Sequence, residues 1–274
     1  MNVRRAWIGI CLAGGAFLSP VIARGCDLPP GETVSVASVV DGETLALADG
    51  REVRLLGIKA PAPPMDWTSG AAWPFEVEAK EALAKILAVA GQPGAKIELR
   101  FDSRHEDRYG HVLAQVFMQR DGTQVWLQEE LVARGLARVY ALPDLRACIA
   151  PLLAAESGAR DARRGLWRSF AYRVRDAHDP LALRSARHTY QLVEGTVQAL
   201  GEGRRHVYIN FDKDWRGDFT VTFDRKSLAR FEEAGLDVAS LPGKHVRVRG
   251  WVEWENGPMI AVSNPEQIEV LPAR

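Results

Sequence analysis

Four carboxylates and three cations crowd into one short stretch, VSVASVVDGETLALADGREVRLLGIKAPA at residues 34–62, and four of them could do chemistry. Asp41 and Glu43 come first, and Arg54 and Lys59 follow. Carboxylates gathered at one place suit a hard cation, and arginine offers phosphate a planar bidentate fork. The plainer alternatives are a structural ion pair between Glu43 and Arg54 across adjacent strands, and a solvated loop charge at Lys59. Far along the chain, Tyr208, Arg247, Arg249 and Trp251 interleave cations with aromatics, a combination that suits stacking on single-stranded nucleic acid. Packing of Tyr208 and Trp251 against the first half of the chain or the connecting segment is the alternative there. Cys26 and Cys148 have no His or third Cys at ligand spacing, which argues against zinc.

These groups must be positioned by strands. Apolar and polar residues alternate in three short runs, punctuated by Asp41-Gly42 and Asp49-Gly50. Asp-Gly between alternating runs signals a hairpin, because tight primed turns need positive φ. The pattern predicts strands at roughly 33–40, 43–48 and 51–58. A Pro- and Gly-rich loop follows at 61–74, then a helix from Pro74 to Gly91 with Ala79, Leu83, Ile86, Leu87 and Ala90 on one face. Strands at 95–102 and 111–118, a helix over VWLQEELVARG with a short extended tail, and a helix over 144–164 complete this half. Three strands, a helix and two strands is the order of a five-stranded Greek-key barrel, the OB-fold.

The second half repeats that order. YQLVEGTVQAL, RHVYINFD and GDFTVTFD read as strands, RKSLARFEEAG as a helix, and KHVRVRGWVEW and PMIAVSNPEQIEVL as two more strands. Val207, Ile209 and Phe211, then Phe219, Val221 and Phe223, then Val246, Val248 and Val252 form the core face, with Trp215 in a turn-rich connection. The fold class is therefore α+β, mostly β, with two OB-like five-stranded barrels. The expected organisation is a leader at 1–23, a first domain at 31–170, a linker with some local helix at 171–190, and a second barrel at 191–272.

Arg4 and Arg5 precede an apolar run that ends near Ala23, the pattern of a secretory leader. A lipid-anchored Cys26 is the rival reading, with Arg24 unusual just before it. No later stretch is long and apolar enough to span a membrane. Export, to a periplasm or beyond, removes Cys11 and leaves Cys26 and Cys148 as an even pair in an oxidising space. A Cys26–Cys148 disulfide is expected, worth ~2–4 kcal/mol through the long loop it closes. The formal net charge of +0 does not mark a nucleic-acid-binding protein as a whole, so any such contact falls to local patches.

VVDGETL followed by VRLLGIKAP resembles the opening of the staphylococcal-nuclease (thermonuclease) family, and DRYGHVLA, LVARGLARVY and ARRGLW continue the resemblance in order. It implies an OB barrel of staphylococcal-nuclease type that cuts phosphodiesters with a calcium ion, a water-activating Glu and two phosphate-clamping arginines. By that resemblance Glu43 stands at the first metal-binding Asp, Asp41 at the neighbouring acidic position, and Arg54 at the first clamping arginine. Lys59 replaces the second metal-binding Asp, Ala60 a Thr that offers its backbone carbonyl, Ala62 the water-activating Glu, and His111 the second arginine. These substitutions make the pocket about two charge units more positive, each worth roughly 4 kcal/mol at ~4 Å and an effective dielectric of 20. No cofactor is expected, and calcium only if the site has been rebuilt, with Asp66 and Arg104 or Arg108 as replacements.

Three functions stay open. The first is an exported thermonuclease-like protein with a degenerate site that binds single-stranded nucleic acid or another anionic ligand. The second is an active variant nuclease acting on DNA or RNA. The third is an envelope module that binds protein partners.

Overall fold

The computed structural model of the chain describes residues 25–64, 67–88, 94–214 and 217–272. The leader, Asp66, Trp215 and the helix end at Ala90 and Gly91 lie outside the described residues. Among the described residues no helix is long and apolar enough to cross a membrane.

The chain is α+β and mostly strand. In the first half β1 is Thr33–Val39, β2 Thr44–Leu47, β3 Glu52–Leu55 and β4 Ile58–Lys59. Helix α1 is Glu76–Ala88, followed by β5 Lys96–Arg100, β6 Val112–Arg120 and β7 Thr123–Trp126. Helix α2 is Leu127–Ala133, β8 Arg138–Val139 and α3 Ile149–Asp161. Strands β1, β2, β3, β6 and β5 pair in that order, and β5 returns to β1, so five strands close a barrel. Only the β3–β6 seam is parallel, and β7 is a hairpin partner added to β6.

The second half repeats the plan. It contains β9 Arg175–Asp176, α4 Pro180–Ser185, β10 Tyr190–Thr196, β11 Ala199–Glu202, β12 His206–Asn210 and β13 Thr220–Asp224. Helix α5 is Leu228–Glu233, β14 His245–Trp254, β15 Pro258–Ala261 and β16 Ile268–Val270. β10 and β11 act as one bent strand, the first part on β14 and the second on β12. The path β12, β13, β15, β14 then closes a second barrel, again with one parallel seam, β13–β15.

The patterning explains the cores. Ala79, Leu83, Ile86 and Leu87 of α1 are buried at helical spacing, with Glu76 and Glu78 in the first turn and Lys85 in the last. Every residue assigned by alternation to the second core is buried in one cluster. Asp49-Gly50 turns as expected, with Gly50 at φ 89. Gly42 keeps an ordinary φ and is glycine for room, since a Cβ would come within 2.8 Å of both Ala60 and Ala79. Val125 and Trp126, expected in a helix, end β7 instead, because the turn at Asp121-Gly122 folds them back on β6 as a hairpin.

The two barrels are joined by a buried polar seam. Arg249 is 1% exposed and pairs at 2.7 Å with Glu156 of α3, itself fully buried. Arg249 also pairs with Glu269, and Arg247 bridges Glu269 at 3.1 Å and Glu194 at 2.6 Å. Glu156 accepts from the Val139 amide at 2.7 Å, the Tyr190 hydroxyl donates to the Val139 carbonyl at 2.8 Å, and Arg138 donates to the Tyr190 carbonyl. The segment at 171–190 is tied down as well. The Tyr172 hydroxyl meets the Trp73 indole at 2.7 Å, and β9 pairs with β10.

The expected disulfide is formed. Cys26 and Cys148 are joined with Cα atoms 4.8 Å apart, across 122 residues of sequence. Cys148 sits at the N-cap of α3, so the bridge fastens the start of the described chain to that helix.

Two outcomes follow for stability. Arg249→Met removes the nearer cation at 2.7 Å and leaves the buried Glu156 with Arg160 alone at 3.4 Å, which should lower unfolding free energy by about 3–5 kcal/mol in a urea titration. A loss below about 1 kcal/mol would mean the pair is solvated. Burial pushes the Glu269 carboxyl up, but the Arg249 and Arg247 cations outweigh it and hold it below its ordinary value of 4.5. Its stabilisation is therefore present above that value and lost as pH falls through the depressed one. Acid unfolding curves of Glu269→Gln should lack that part of the pH dependence.

Candidate functional site

Glu43 is the centre of the first cluster. Asp41 makes a local turn, accepting from the Glu43 amide at 2.7 Å, and Glu43 enters β2 with only 4% exposure. The β2–β3 register sets Thr44 opposite Arg54. Arg54 Nη2 donates to Glu43 Oε1 at 2.7 Å, Lys59 Nζ donates to the same oxygen at 2.7 Å, and the Ala60 amide donates to Oε2 at 2.5 Å. Lys59 is fixed by β4, which pairs with β8 through Ile58–Val139 and Lys59–Arg138. Burial alone would lower the Arg54 pKa, but the Glu43 carboxylate beside it, with Asp107 and Asp41 farther off, holds it above the ordinary value.

His111 precedes β6, beside β3 at the parallel seam. Its Nδ1 lies 2.8 Å from Asp107 Oδ2 and its Nε2 3.5 Å from Glu52 Oε2. Asp107 also accepts from the Tyr109 and His111 amides at 2.8 and 3.0 Å. Burial raises the Asp107 pKa, yet these hydrogen bonds bring it below the ordinary carboxylate range.

Asp41, Glu43, Arg54, Lys59, Ala62 and His111 line one concavity of about 290 Å³. Arg54 and Lys59 also line the adjoining groove of about 340 Å³, with Arg104, Arg108, Tyr109, Tyr140 and Trp251 along it. The groove is thus shared by both halves of the chain. Arg108 donates to the Tyr109 hydroxyl at 2.6 Å and lies 4.7 Å over its ring.

The second expected binding face does not form as one surface. Trp251 is 41% exposed and packs edge-on against Tyr190 at 6.0 Å while lining the groove toward the first barrel. Arg249 is sealed in the seam and Arg247 is held by two carboxylates, so neither cation is presented beside it. Tyr208 lines a separate concavity with Asn210, Thr220 and Met259. The reason is that Arg249 is covered by α3 of the first barrel, while Arg247 is held by Glu194 and Glu269 of its own barrel.

Three contributors went unread in the sequence. Glu52 shares a strand face with Arg54 by simple alternation, and Asp107 is marked by the turn it makes with Gly110 at φ 86. Tyr140 reaches the groove only through tertiary structure, and no local signal announces it.

Residues 52–169 match the family described as Staphylococcal nuclease homologue. This stretch is a staphylococcal nuclease homologue domain. Arg54, Lys59, Ala62 and His111 lie within the match, whereas Asp41 and Glu43 lie just ahead of it. Among curated relatives, the Thermonuclease of Staphylococcus hyicus is 29% identical over 110 residues, which is 39% of this chain and 59% of that protein. The chain thus spans about 59% of that relative's length.

Glu43→Ala strips the acceptor from a largely buried lysine and from the Ala60 amide. It should cost about 1–3 kcal/mol in denaturant unfolding. An unchanged midpoint would show that Lys59 and Ala60 are satisfied by solvent without Glu43.

Proposed function

We propose that this protein is a thermonuclease-like nucleic-acid-binding protein, and that its barrel holds a single strand without calcium-dependent cleavage. The observation that carries the reading is the Lys59 ammonium 2.7 Å from Glu43 Oε1. A cation already sits on the carboxylate that a metal would need. Among the described residues no group of three or more His, Cys, Asp or Glu side chains is arranged to hold an ion. Both Glu43 oxygens are committed to Arg54, Lys59 and the Ala60 amide, so this donor set does not fit calcium.

The same residues suit an anion. Arg54 spends one nitrogen on Glu43 and keeps 36% of its side chain exposed, and Lys59 adds a second charge. Asp41, Glu52 and Glu76 line the concavity too, so the place for a phosphate is the adjoining groove, which Arg54 and Lys59 share with Arg104 and Arg108 and where Asp107 is the carboxylate among the lining residues. Arg104 and Arg108 extend the positive wall, and Tyr109, 67% exposed, with Tyr140 and Trp251 offers ring faces and edges to bases. Hydrolysis would further need a base, which Ala62 lacks, and general-base assistance typically contributes ~10²–10⁴-fold. His111, engaged by Asp107 and Glu52, has no bidentate fork for phosphate. The Cys26–Cys148 disulfide supports placement in an oxidising compartment, as export would provide.

The purified chain should leave plasmid and single-stranded DNA intact with calcium or with EDTA. Lys59→Asp combined with Ala62→Glu should gain calcium-dependent thermal stabilisation before measurable turnover. Trp251→Ala should weaken oligonucleotide binding by ~1–3 kcal/mol. Strong calcium-dependent cleavage by the unaltered protein, abolished by Glu43→Ala, would overturn the reading and point to Asp66 as a rebuilt ligand.

A further inference from the structure

The formal net charge is +0, yet one concavity of about 1270 Å³ is lined by Arg134, Arg160, Arg163, Arg164, Arg168 and Arg173. No carboxylate is among its lining residues, and it shares none of them with the Glu43 cluster or the Trp251 groove. Its wall is the turn after α3 and the two short 3-10 segments Gly165–Arg168 and Phe170–Tyr172.

The wall is built, not a loose tail. Gly165 at φ 50 packs on Gly135 at φ 68. A Cβ on Gly165 would come 2.1 Å from the Gly135 carbonyl oxygen, and one on Gly135 would come 2.2 Å from that of Arg164. The Leu166 amide donates to Gly135 at 2.8 Å and the Arg164 amide to Ala159 at 2.8 Å. Between these fixed points Arg163 sits at φ 50. Left-handed backbone costs a side-chain-bearing residue roughly 1–2 kcal/mol, and such strain concentrates at functional positions.

Most of the charge there is uncommitted. Arg134 pairs with Glu130, and Arg160 with Glu156 at 3.4 Å. Arg164 donates to the Ala133 carbonyl at 3.1 Å, and Arg173 lies 3.8 Å over the ring of Phe170, which is 70% exposed. Arg163 and Arg168 are exposed and have no side-chain partner among the described residues. Uncompensated like charges in one hollow call for a polyanion, and its volume far exceeds one small anion. Guanidinium forks match phosphate oxygens two at a time, and an arginine-covered ring is a flat platform for a base.

We propose that this hollow is a second nucleic-acid site, which takes successive backbone phosphates of a single strand on Arg163, Arg168 and Arg173. The inference rests on the reading that the protein binds nucleic acid, but it uses none of the groove's residues. The test is fluorescence anisotropy of the full mature chain with a labelled oligothymidylate across a salt series. The triple variant Arg163→Glu/Arg168→Glu/Arg173→Glu should bind at least about tenfold more weakly. Its slope of log K against log salt should fall by about 2, as for three lost single-strand phosphate contacts. Arg168→Gln alone, an exposed change that spares the fold, should reduce the slope by about 0.7.

Unchanged affinity and slope in both variants would overturn the proposal. So would an equal fall when Arg187, Arg204 and Arg205 are reversed instead, which would mark the effect as one of net charge. Loss of binding to phosphatidylglycerol–phosphatidylcholine vesicles with intact oligonucleotide binding would overturn it in favour of a membrane surface. If only Arg54→Ala/Trp251→Ala weakens the complex, the groove stands and the hollow fails. If only the arginine variants weaken it, the hollow stands and the groove fails.

Discussion

A carboxylate buried to 4% exposure has to be neutralised where it sits, and the candidate site follows from how Glu43 is neutralised. The Asp41 turn and the close approach at Gly42 deliver Glu43 to its place. Arg54, Lys59 and the Ala60 amide then consume both oxygens. Lys59 is the deciding group, since with Arg54 and the Ala60 amide it closes an ion cluster around the buried carboxylate.

That cluster is coupled to the second barrel through one short strand. β8 holds Lys59 by pairing with β4. The same β8 gives its Val139 amide to Glu156 and its Val139 carbonyl to Tyr190, while Glu156 holds Arg249. The site and the seam thus lie on two sides of a single strand pair. This explains how Trp251, from the far half of the chain, reaches a groove that Arg54 also lines. The second barrel is a wall of the site as much as an appended module.

The barrels themselves were legible in the sequence, because period-two alternation and Gly-punctuated turns are local signals. The cores of β12, β13 and β14 and the face of α1 came from spacing alone. The disulfide was legible too, from two cysteines left after a leader is set aside. What failed was anything that depended on what covers a face. Alternation put Arg249 on the side of β14 away from Val246 and Val248, correctly, but could not say that α3 of the other barrel lies there with Glu156. Gly42 shows the same limit. The turn was foreseen, but the reason for glycine is the nearby Ala60 and Ala79, not a left-handed φ.

The central claim is that Lys59 and Arg54 do for an anion what a metal would otherwise do, so binding owes nothing to calcium. The most direct measurement is the dissociation constant of a labelled single strand, by anisotropy at fixed ionic strength, in EDTA and in excess calcium. The account predicts the same constant in both. A constant that tightens severalfold with calcium, and relaxes again on chelation, would contradict it.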